Sequence, residues 1–450
     1  MRIEDTDRQR FVPGASERII DSLLWLGLKF DGKSMVQSER LEIYQKKAQE
    51  LIKKDLGYFC FCSKERLERL RKTQVRKKEP PRYDRKCRNL SQGEVRKRVK
   101  KGESYVIRLK VPKEGSLKFN DLIRGKIEFQ LKEIDDSIIL KSDGYPTYYL
   151  ASVVDDKEMG ISHVIRGEEW LSSTPKNILI FNAFGWSIPK YAHIPLTLNP
   201  DRTKLSKRFG AVSIPEFREK GYLPEALINF MVFLGWNPKT EEEIFIRGNH
   251  VLPDTIKPLE TLLGNLINKF DLKDCGKSAA IFDLKKLNWM NAWYIKNIST
   301  NVLQKYLAPF MKGEQYKVRN LEDLLKLSQR GDITRLDEFT EKFNFLIKEL
   351  DYKPSLLIFK KSTKEKTLNG LELGAKSLKQ INEKYWKIDK LHKALSSVAQ
   401  SPQLNFGDIF WPIRVALSGK EASPSPEELL WVLGKEESLK RIKKAISLLK

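Results

Sequence analysis

Asn199-Pro-Asp-Arg-Thr-Lys-Leu-Ser-Lys-Arg-Phe-Gly210 is the stretch on which the reading of this chain turns. Arg202, Lys204, Lys207 and Arg208 crowd into seven residues, with Ser206 among them and Gly210 behind. An apolar run, Ile194 to Leu198, leads in, and helical patterning resumes from about Pro215. Mobile cations on a glycine-terminated loop at a strand end suit a polyphosphate. They neutralise its charge, and flexible lysine stems can follow it as a bond breaks. The same residues also fit a solvated basic loop in a lysine-rich chain, and only the rest of the sequence decides between the two.

Working outward, the chain of 450 residues suggests about three domains. Its formal charge is +24, and residues 64–113 alone hold 20 Lys/Arg against 6 Asp/Glu. A basic excess concentrated in this way points to a polyanionic partner, nucleic acid first, since merely solubilising surfaces intersperse the signs. No apolar run reaches the ~18 residues of a membrane span. Four cysteines make no disulfide framework, so a reducing, cytoplasmic setting is expected. Glu4, Asp5 and Asp7 argue against a transit peptide.

Arg2-Ile-Glu-Asp-Thr-Asp7 reads as a strand end emptying into an acidic loop, the place where open α/β sheets build sites. No partner strand or glycine-rich loop is apparent nearby. A helix with an apolar face at Ile19, Ile20, Leu23, Leu24 and Leu26 is expected from Pro13, and a second over about 38–54. Strand-like runs follow at 58–62, 105–111, 126–131 and 138–140, with the basic stretch among them. Cys60, Cys62 and Cys87 resemble three ligands of a zinc site. Asn89 stands where a fourth would be expected, so zinc is not expected and buried thiols are the simpler account. A helix after Asp143-Gly-Tyr-Pro146 would carry Tyr148 and Ser152 on one face. Residues 161–165 read as a buried strand with Arg166-Gly-Glu-Glu-Trp170 at its end, and a helix follows from Thr174-Pro175. His193 reads as a core histidine. Helices are expected over 225–234 and 283–295. Beyond about 296 the pattern is nearly all helical, at 321–329, 336–350, 388–399, 426–433 and 438–449.

Nine motifs in order now carry a resemblance. They are Arg2-Ile-Glu-Asp-Thr-Asp7, Pro81-Arg-Tyr-Asp84, Asp143-Gly-Tyr-Pro-Thr-Tyr148, Val153-Val-Asp-Asp156, His163-Val-Ile-Arg-Gly-Glu-Glu169, Lys204-Leu-Ser-Lys-Arg208, Gly221-Tyr-Leu-Pro-Glu-Ala-Leu227, Leu234-Gly-Trp236 and Pro412-Ile-Arg-Val-Ala-Leu417. The chain resembles the bacterial or organellar glutamyl-tRNA synthetases, most densely through residue 236. The resemblance implies a Rossmann-type α/β class I catalytic domain at 1–57 and 148–195, split by an α+β acceptor-stem-binding insertion at 58–147. A stem-contact region at 196–295 and an all-α anticodon-binding region at 296–450 would follow. It implies ATP-dependent attachment of L-glutamate to tRNA(Glu) through glutamyl-adenylate, with Mg²⁺ on the phosphates, and a monomer without membrane contact. tRNA(Gln) is left open as a second partner, and Arg330 and Arg414 are candidate anticodon contacts.

Residue by residue, the resemblance implies that Glu4 pairs with the substrate ammonium and Arg166 with a substrate carboxylate. Tyr148 and Ser152 would shape the glutamate pocket, Glu169 would contact ATP, and Lys204, Lys207 and Arg208 would form the catalytic loop, Lys207 on the triphosphate. Ser152 departs from the family's usual Asn. The family's first strand, histidine-bearing signature and first helix have no counterpart in residues 1–450. The expectation is therefore that Met1 is an internal methionine taken as a start, and that the chain as written aggregates and is inactive. A non-catalytic tRNA-binding paralogue is the alternative. A tRNA-modifying relative is disfavoured because such proteins resemble only the catalytic half.

Overall fold

The computed structural model describes residues 1–205, 213–246, 257–311, 316–330, 333–400 and 403–450. The chain forms two compact units, one of residues 1–205, 232–241 and 269–282, the other of 206–231, 242–268 and 283–450.

In the first unit, β1 (Arg2–Ile3) does have a partner close in sequence: it pairs in parallel with β2 (Met35–Val36) after the intervening helix α1 (Ala15–Trp25). The expectation that no partner strand lay nearby is corrected, and a two-residue strand gives too little period-2 pattern to be read. The apolar face expected on α1 is present but not covered, with Ile19 and Leu24 about half exposed. Only Leu26, just past the helix end, is buried.

The core of this unit forms where α2 (Leu41–Lys53), α5 (Tyr148–Glu158) and α6 (Thr174–Phe184) bring Tyr44, Leu51, Leu150, Val153, Val154, Ile178 and Phe181 together. Burial of each large apolar side chain contributes about 1.5–3 kcal/mol. Strands β3 (Gly57–Cys60), β4 (Val106–Leu109) and β7 (Ile138–Leu140) form an antiparallel sheet that adds Ile107, Leu109 and Leu140 to the same core. The basic stretch between β3 and β4 is largely helical: α3 (Lys64–Arg76) and α4 (Gln92–Lys100), capped by Ser63 and Ser91. Neither helix buries a residue, so neither shows the apolar stripe by which a sequence announces a helix.

The second sheet runs β6-β5-β9-β8, with β5 (Ser116–Asp121) and β6 (Gly125–Gln130) antiparallel and β8 (His163–Gly167) parallel to β9 (Lys190–Ile194). β8 is an edge strand, not the buried one expected, and Ile165 is half exposed. β9 leads on to β10 (Thr197–Leu198), which pairs in parallel with β11 (Ala280–Ile281).

Two buried aspartates tie this unit together. Asp155 on α5, fully buried, accepts from Gln37 Nε2 (2.8 Å), Tyr44 Oη (2.9 Å) and Arg40 Nε (3.3 Å). Asp136 accepts from Arg88 Nη1 (2.6 Å), Tyr58 Oη (2.8 Å) and the Val111 backbone N–H (3.3 Å).

The second unit is helical: α7 (Ile214–Glu219), α8 (Pro224–Val232), α9 (Pro258–Lys269), α10 (Leu284–Asn297), α11 (Thr300–Leu307), α12 (Leu321–Arg330), α13 (Glu338–Lys342), α14 (Lys364–Gln380), α15 (Ile388–Ala399), α16 (Phe406–Ser418) and α17 (Pro426–Leu449). The helix expected over 336–350 is short and broken, since Phe343 (φ −105°) leaves helical geometry. α14 and α16 carry little of the helix signature because Gly370, Gly374 and Pro412 disfavour helix in isolation. The reason for Gly370 is tertiary: a Cβ there would collide with the Asp408 carbonyl of α16. Gly434 (φ 77°) kinks α17 between the two segments read from the sequence.

Glu225 on α8 is wholly buried, and one carboxylate oxygen accepts from Tyr306 Oη (2.9 Å) while the other has no partner among the described residues. Burial pushes its carboxyl up to about 7. A folded-state value above the unfolded one means the folded chain holds the proton while the unfolded chain releases it. The associated stability is fully present below about pH 4.5 and is lost as pH rises to about 7, by an amount of order 3 kcal/mol. Glu225→Gln is expected to abolish that decline in urea titrations between pH 4.5 and 8. An unchanged decline would show that Glu225 ionises freely in the folded state.

Candidate active site

The site grows from three neighbouring strand ends. β8 and β9 pair in parallel with Arg166 opposite His193, and β5 meets β9 at Asp121 opposite Tyr191. This register lines up Asp121, His193 and Arg166. His193 Nδ1 donates to Asp121 Oδ2 (2.6 Å), and Arg166 Nε donates to His193 Nε2 (3.2 Å). An imidazole that donates from Nδ1 and accepts at Nε2 is neutral, with its tautomer set by its two neighbours. Burial lowers the His193 pKa and outweighs the attraction of Asp121. Burial works against ionisation of Asp121 too, but the hydrogen bonds from His193 and the backbone N–H groups of Arg124, Ile123 and His193 hold its carboxyl below the usual range.

The Arg166 guanidinium is fixed on its other sides by Tyr148 Oη (Nη1, 2.8 Å) and Thr174 Oγ1 (Nη2, 2.9 Å). Of the five N–H groups of a guanidinium, these contacts use three. Among the described residues, the Nη1 and Nη2 atoms each keep one N–H without a partner, a pair suited to a carboxylate. Tyr148 also packs on Trp170, ring centroids 4.6 Å apart. Tyr148 and Glu4 line one cavity of about 690 Å³, with Gln37, Phe61, Tyr105 and Lys141 among its walls. Arg2 pairs with both Glu4 (2.8 Å) and Asp156 (2.5 Å), so the acidic loop is anchored to α5.

The structure thus brings Arg166 and Tyr148 into contact and sets Glu4 on the cavity that Tyr148 lines. Ser152 lies one turn further along α5, buried, and accepts from Asn177 Nδ2 (3.2 Å); it does not line that cavity. Glu169 lies against Gly167, where a Cβ would collide with its carboxylate. Its neighbour Glu168 accepts from the Leu196 N–H (3.1 Å) and pairs with Arg124 (2.5 Å), bracing the strand ends. Lys204 closes a tight turn after β10: Asn199 Nδ2 donates to its carbonyl (3.0 Å), and its side chain is exposed. Ser206, Lys207 and Arg208 lie outside the described residues. In the second unit, Arg330 lines a cavity of about 540 Å³ with Lys342, Lys420 and Ser423, whereas the Arg414 Nε is buried without a partner among the described residues. Asp121 and Thr174 were not singled out from the sequence. An isolated Asp at a strand end and a Thr before Pro read equally well as turn and cap residues.

Cys60, Cys62 and Cys87 gather with their sulfur atoms within 4.8 Å of one another. The Tyr83 hydroxyl joins them, at 3.3 Å from the Cys60 sulfur and 3.5 Å from that of Cys62. Hydrogen bonds from Cys87 and Tyr83 pull the Cys60 thiol well below its usual range despite burial.

Asp121 accepts four hydrogen bonds, from His193 Nδ1 (2.6 Å) and from the backbone N–H groups of Arg124 (2.9 Å), Ile123 (3.0 Å) and His193 (3.3 Å). Asp121→Ala strands all four buried donors and is expected to destabilise the chain by about 3 kcal/mol in urea unfolding. A loss below about 1 kcal/mol would mean that water reaches the site and replaces the carboxylate.

Residues 1–289 match the family described as tRNA synthetases class I (E and Q), catalytic domain, and residues 299–446 match an anticodon binding domain. Glutamate–tRNA ligase 2 of Thermoanaerobacter pseudethanolicus is 40% identical over 451 aligned residues, which cover 99% of this chain and 90% of that protein. Glutamate–tRNA ligase of Clostridium botulinum is 41% identical, with 100% and 92% covered. Among solved structures, a glutamate tRNA ligase from Elizabethkingia meningosepticum in complex with its amino acid superposes with a TM-score of 0.83 at 31% identity, over 100% of this chain and 92% of that one. The strand ends, the helical second unit and these likenesses converge: the chain belongs to the class I tRNA synthetase family, among the glutamate–tRNA ligases.

Proposed function

We propose that this chain is a glutamate–tRNA ligase that activates L-glutamate with ATP and transfers it to tRNA(Glu). The observation that carries the reading is Arg166, locked by Tyr148, Thr174 and His193 with two N–H groups left over. A guanidinium held this rigidly suits a substrate carboxylate. Glu4, on the cavity that Tyr148 lines, supplies the negative charge an ammonium needs. The glutamate α-carboxylate attacks the α-phosphorus of ATP and pyrophosphate leaves. A hydroxyl of the terminal tRNA ribose then attacks the adenylate carbonyl and AMP leaves. The first step needs alignment and charge neutralisation more than a strong base. Lys204, Lys207 and Arg208 neutralise the departing pyrophosphate, Glu169 meets ATP, and a Mg²⁺ ion bound with the ATP would supply further neutralisation of the phosphate charge. Tyr148 shapes the amino-acid side of the site, and Ser152, buried one turn further along α5, acts only from behind the cavity wall.

In this reading residues 1–57 and 148–195 form the catalytic part, 58–147 hold the acceptor stem, 196–295 contact the stem and 296–450 meet the anticodon. Arg330 is the better placed of the two anticodon candidates, because Arg414 Nε is buried. The protein acts as a monomer, and among the described residues no helix is long and apolar enough to cross a membrane. The binding-only alternative has no observation in its favour.

No step runs through the thiol cluster. No zinc is expected there: the Tyr83 hydroxyl beside the three sulfurs is a hydrogen-bond partner whose pKa burial and those bonds push well above the usual range, which makes it a poor fourth ligand. About one zinc per chain, lost in both Cys60→Ser and Tyr83→Phe, would assign a metal to the four. A metal-free chain would leave them a hydrogen-bonded cluster.

ATP–pyrophosphate exchange with tRNA(Glu) present tests the reading directly, and exchange with glutamate but not with other amino acids is expected. Lys207→Ala should lower kcat for activation by ~10²-fold, because the loop cation gains its contact as charge builds on pyrophosphate. Glu4→Ala should instead raise KM for glutamate. If Lys207→Ala leaves kcat intact, the loop has another role. Binding to tRNA should weaken steeply with salt, with a log–log slope of roughly −0.7 to −0.9 per phosphate contact. A flat dependence would remove the phosphate-contact role assigned to the basic stretch at 64–113.

A further inference from the structure

The turn after β10 is closed by side chains. The chain reverses over Asn199-Pro-Asp-Arg-Thr203, and Lys204 returns as the antiparallel bridge partner of Leu198. Leu198 is itself in register with Ile281 of β11, so Lys204 joins a line of paired backbone. Asn199 is fully buried at the centre of the reversal. Its backbone N–H donates to the Thr203 carbonyl (2.8 Å), and its carbonyl accepts from the Arg202 N–H (2.9 Å). Its side-chain Nδ2 donates to the Thr203 hydroxyl and to the Lys204 carbonyl, both at 3.0 Å. A carbonyl can only accept, which fixes the face that the amide turns to Lys204. Thr203 Oγ1 donates in turn to Asp201 Oδ1 (2.6 Å) and keeps a lone pair for Asn199. Arg202 has φ 64°, a left-handed conformation unfavourable for a residue with a Cβ, so the turn holds only with bonds that offset it. The Lys204 side chain is exposed and has no ion-pair partner among the described residues. Its flexible stem can reach many positions, so the backbone anchor decides where its cation acts.

We propose that Asn199 is a positioning residue for Lys204: its buried amide fixes the backbone from which that cation reaches the phosphates. The proposal rests on the ligase reading above. Without the amide the Lys204 carbonyl loses its side-chain donor and the anchor is free to shift. A misplacement of about 1 Å is enough to weaken a contact on which a reaction depends. The contact strengthens as charge builds on the departing pyrophosphate, so the loss falls on kcat and spares KM. Asp201 does not share this role. It is exposed and bonds only to Thr203, through the backbone N–H (2.9 Å) and the hydroxyl.

The test is a double-mutant cycle in ATP–pyrophosphate exchange by the 450-residue chain, with glutamate and tRNA(Glu) present. Asn199→Asp keeps the shape of the side chain and removes both donors, and Asn199→Ala removes the group. Each should lower kcat by ~10-fold, with KM for ATP and for glutamate within about twofold of the wild-type values. Lys204→Ala should lower kcat by at least as much. The variant carrying both Asn199→Ala and Lys204→Ala should lose no more than Lys204→Ala alone, because the amide acts only through that lysine. A turn that merely supported the fold would reduce the fraction of active enzyme, and its loss would multiply with that of Lys204→Ala. Multiplicative losses, a rise in KM in place of the fall in kcat, or an Asn199→Asp variant with wild-type kcat overturns the positioning role and leaves the ligase reading intact. A wild-type chain that supports no exchange overturns the ligase reading, and the positioning role with it.

Discussion

Three aspartates with almost no exposure, Asp121, Asp136 and Asp155, fix the pieces of the first unit. Each gathers donors from segments distant in sequence. Asp155 collects the turn before α2, Asp136 collects the chain around Arg88 and Val111, and Asp121 collects the end of β9. A buried carboxylate is costly unless its lone pairs are met, so these positions tolerate one arrangement of the surrounding chain and penalise others. Short strands and exposed helices could not supply that specificity alone. β1 is two residues long, and α1, α3 and α4 bury nothing of their own.

The site inherits its precision from one of these anchors. Asp121 sets the His193 tautomer, and His193 in turn offers a lone pair to Arg166 Nε. The arginine's orientation is thereby fixed in advance, which would reduce the ordering needed on binding a carboxylate. Tyr148 and Thr174 hold its other nitrogens, and the Trp170 and Tyr191 rings flank the guanidinium. The same economy explains the polarity of the site. His193 stays neutral, so the charge beside it is carried by Arg166 and Asp121.

The basic insertion follows a different logic. Its helices bury no residues and carry cations outward, as expected of a surface that meets phosphate, while Phe61 and Tyr105, just beyond its strand ends, line the cavity that Glu4 and Tyr148 share. In the helical unit, close approach adds to buried hydrogen bonds such as those of Asn291 and Arg441, with Gly370 letting α14 lie against the Asp408 carbonyl.

The motifs in the sequence were enough to place the chain in its family, to expect an α/β catalytic part followed by helices, and to name Glu4, Tyr148 and Arg166. Those signals are local: loop chemistry, charge density and apolar period are written in consecutive residues. Tertiary structure alone decided what those residues touch. The Met35–Val36 partner of β1, the edge position of β8, and the union of Asp121, His193, Thr174 and Arg166 depend on strand register. Register is set by contacts between segments tens of residues apart. The fourth member of the thiol group shows the same division: spacing pointed to Asn89, but the chain folds back to bring in Tyr83, four residues before Cys87, whose hydroxyl accepts from the Cys87 backbone N–H (3.0 Å). Helices built on glycine, proline or unrelieved charge were hidden for a related reason, because propensity records what a segment does alone and packing or solvation decides what it does in the fold.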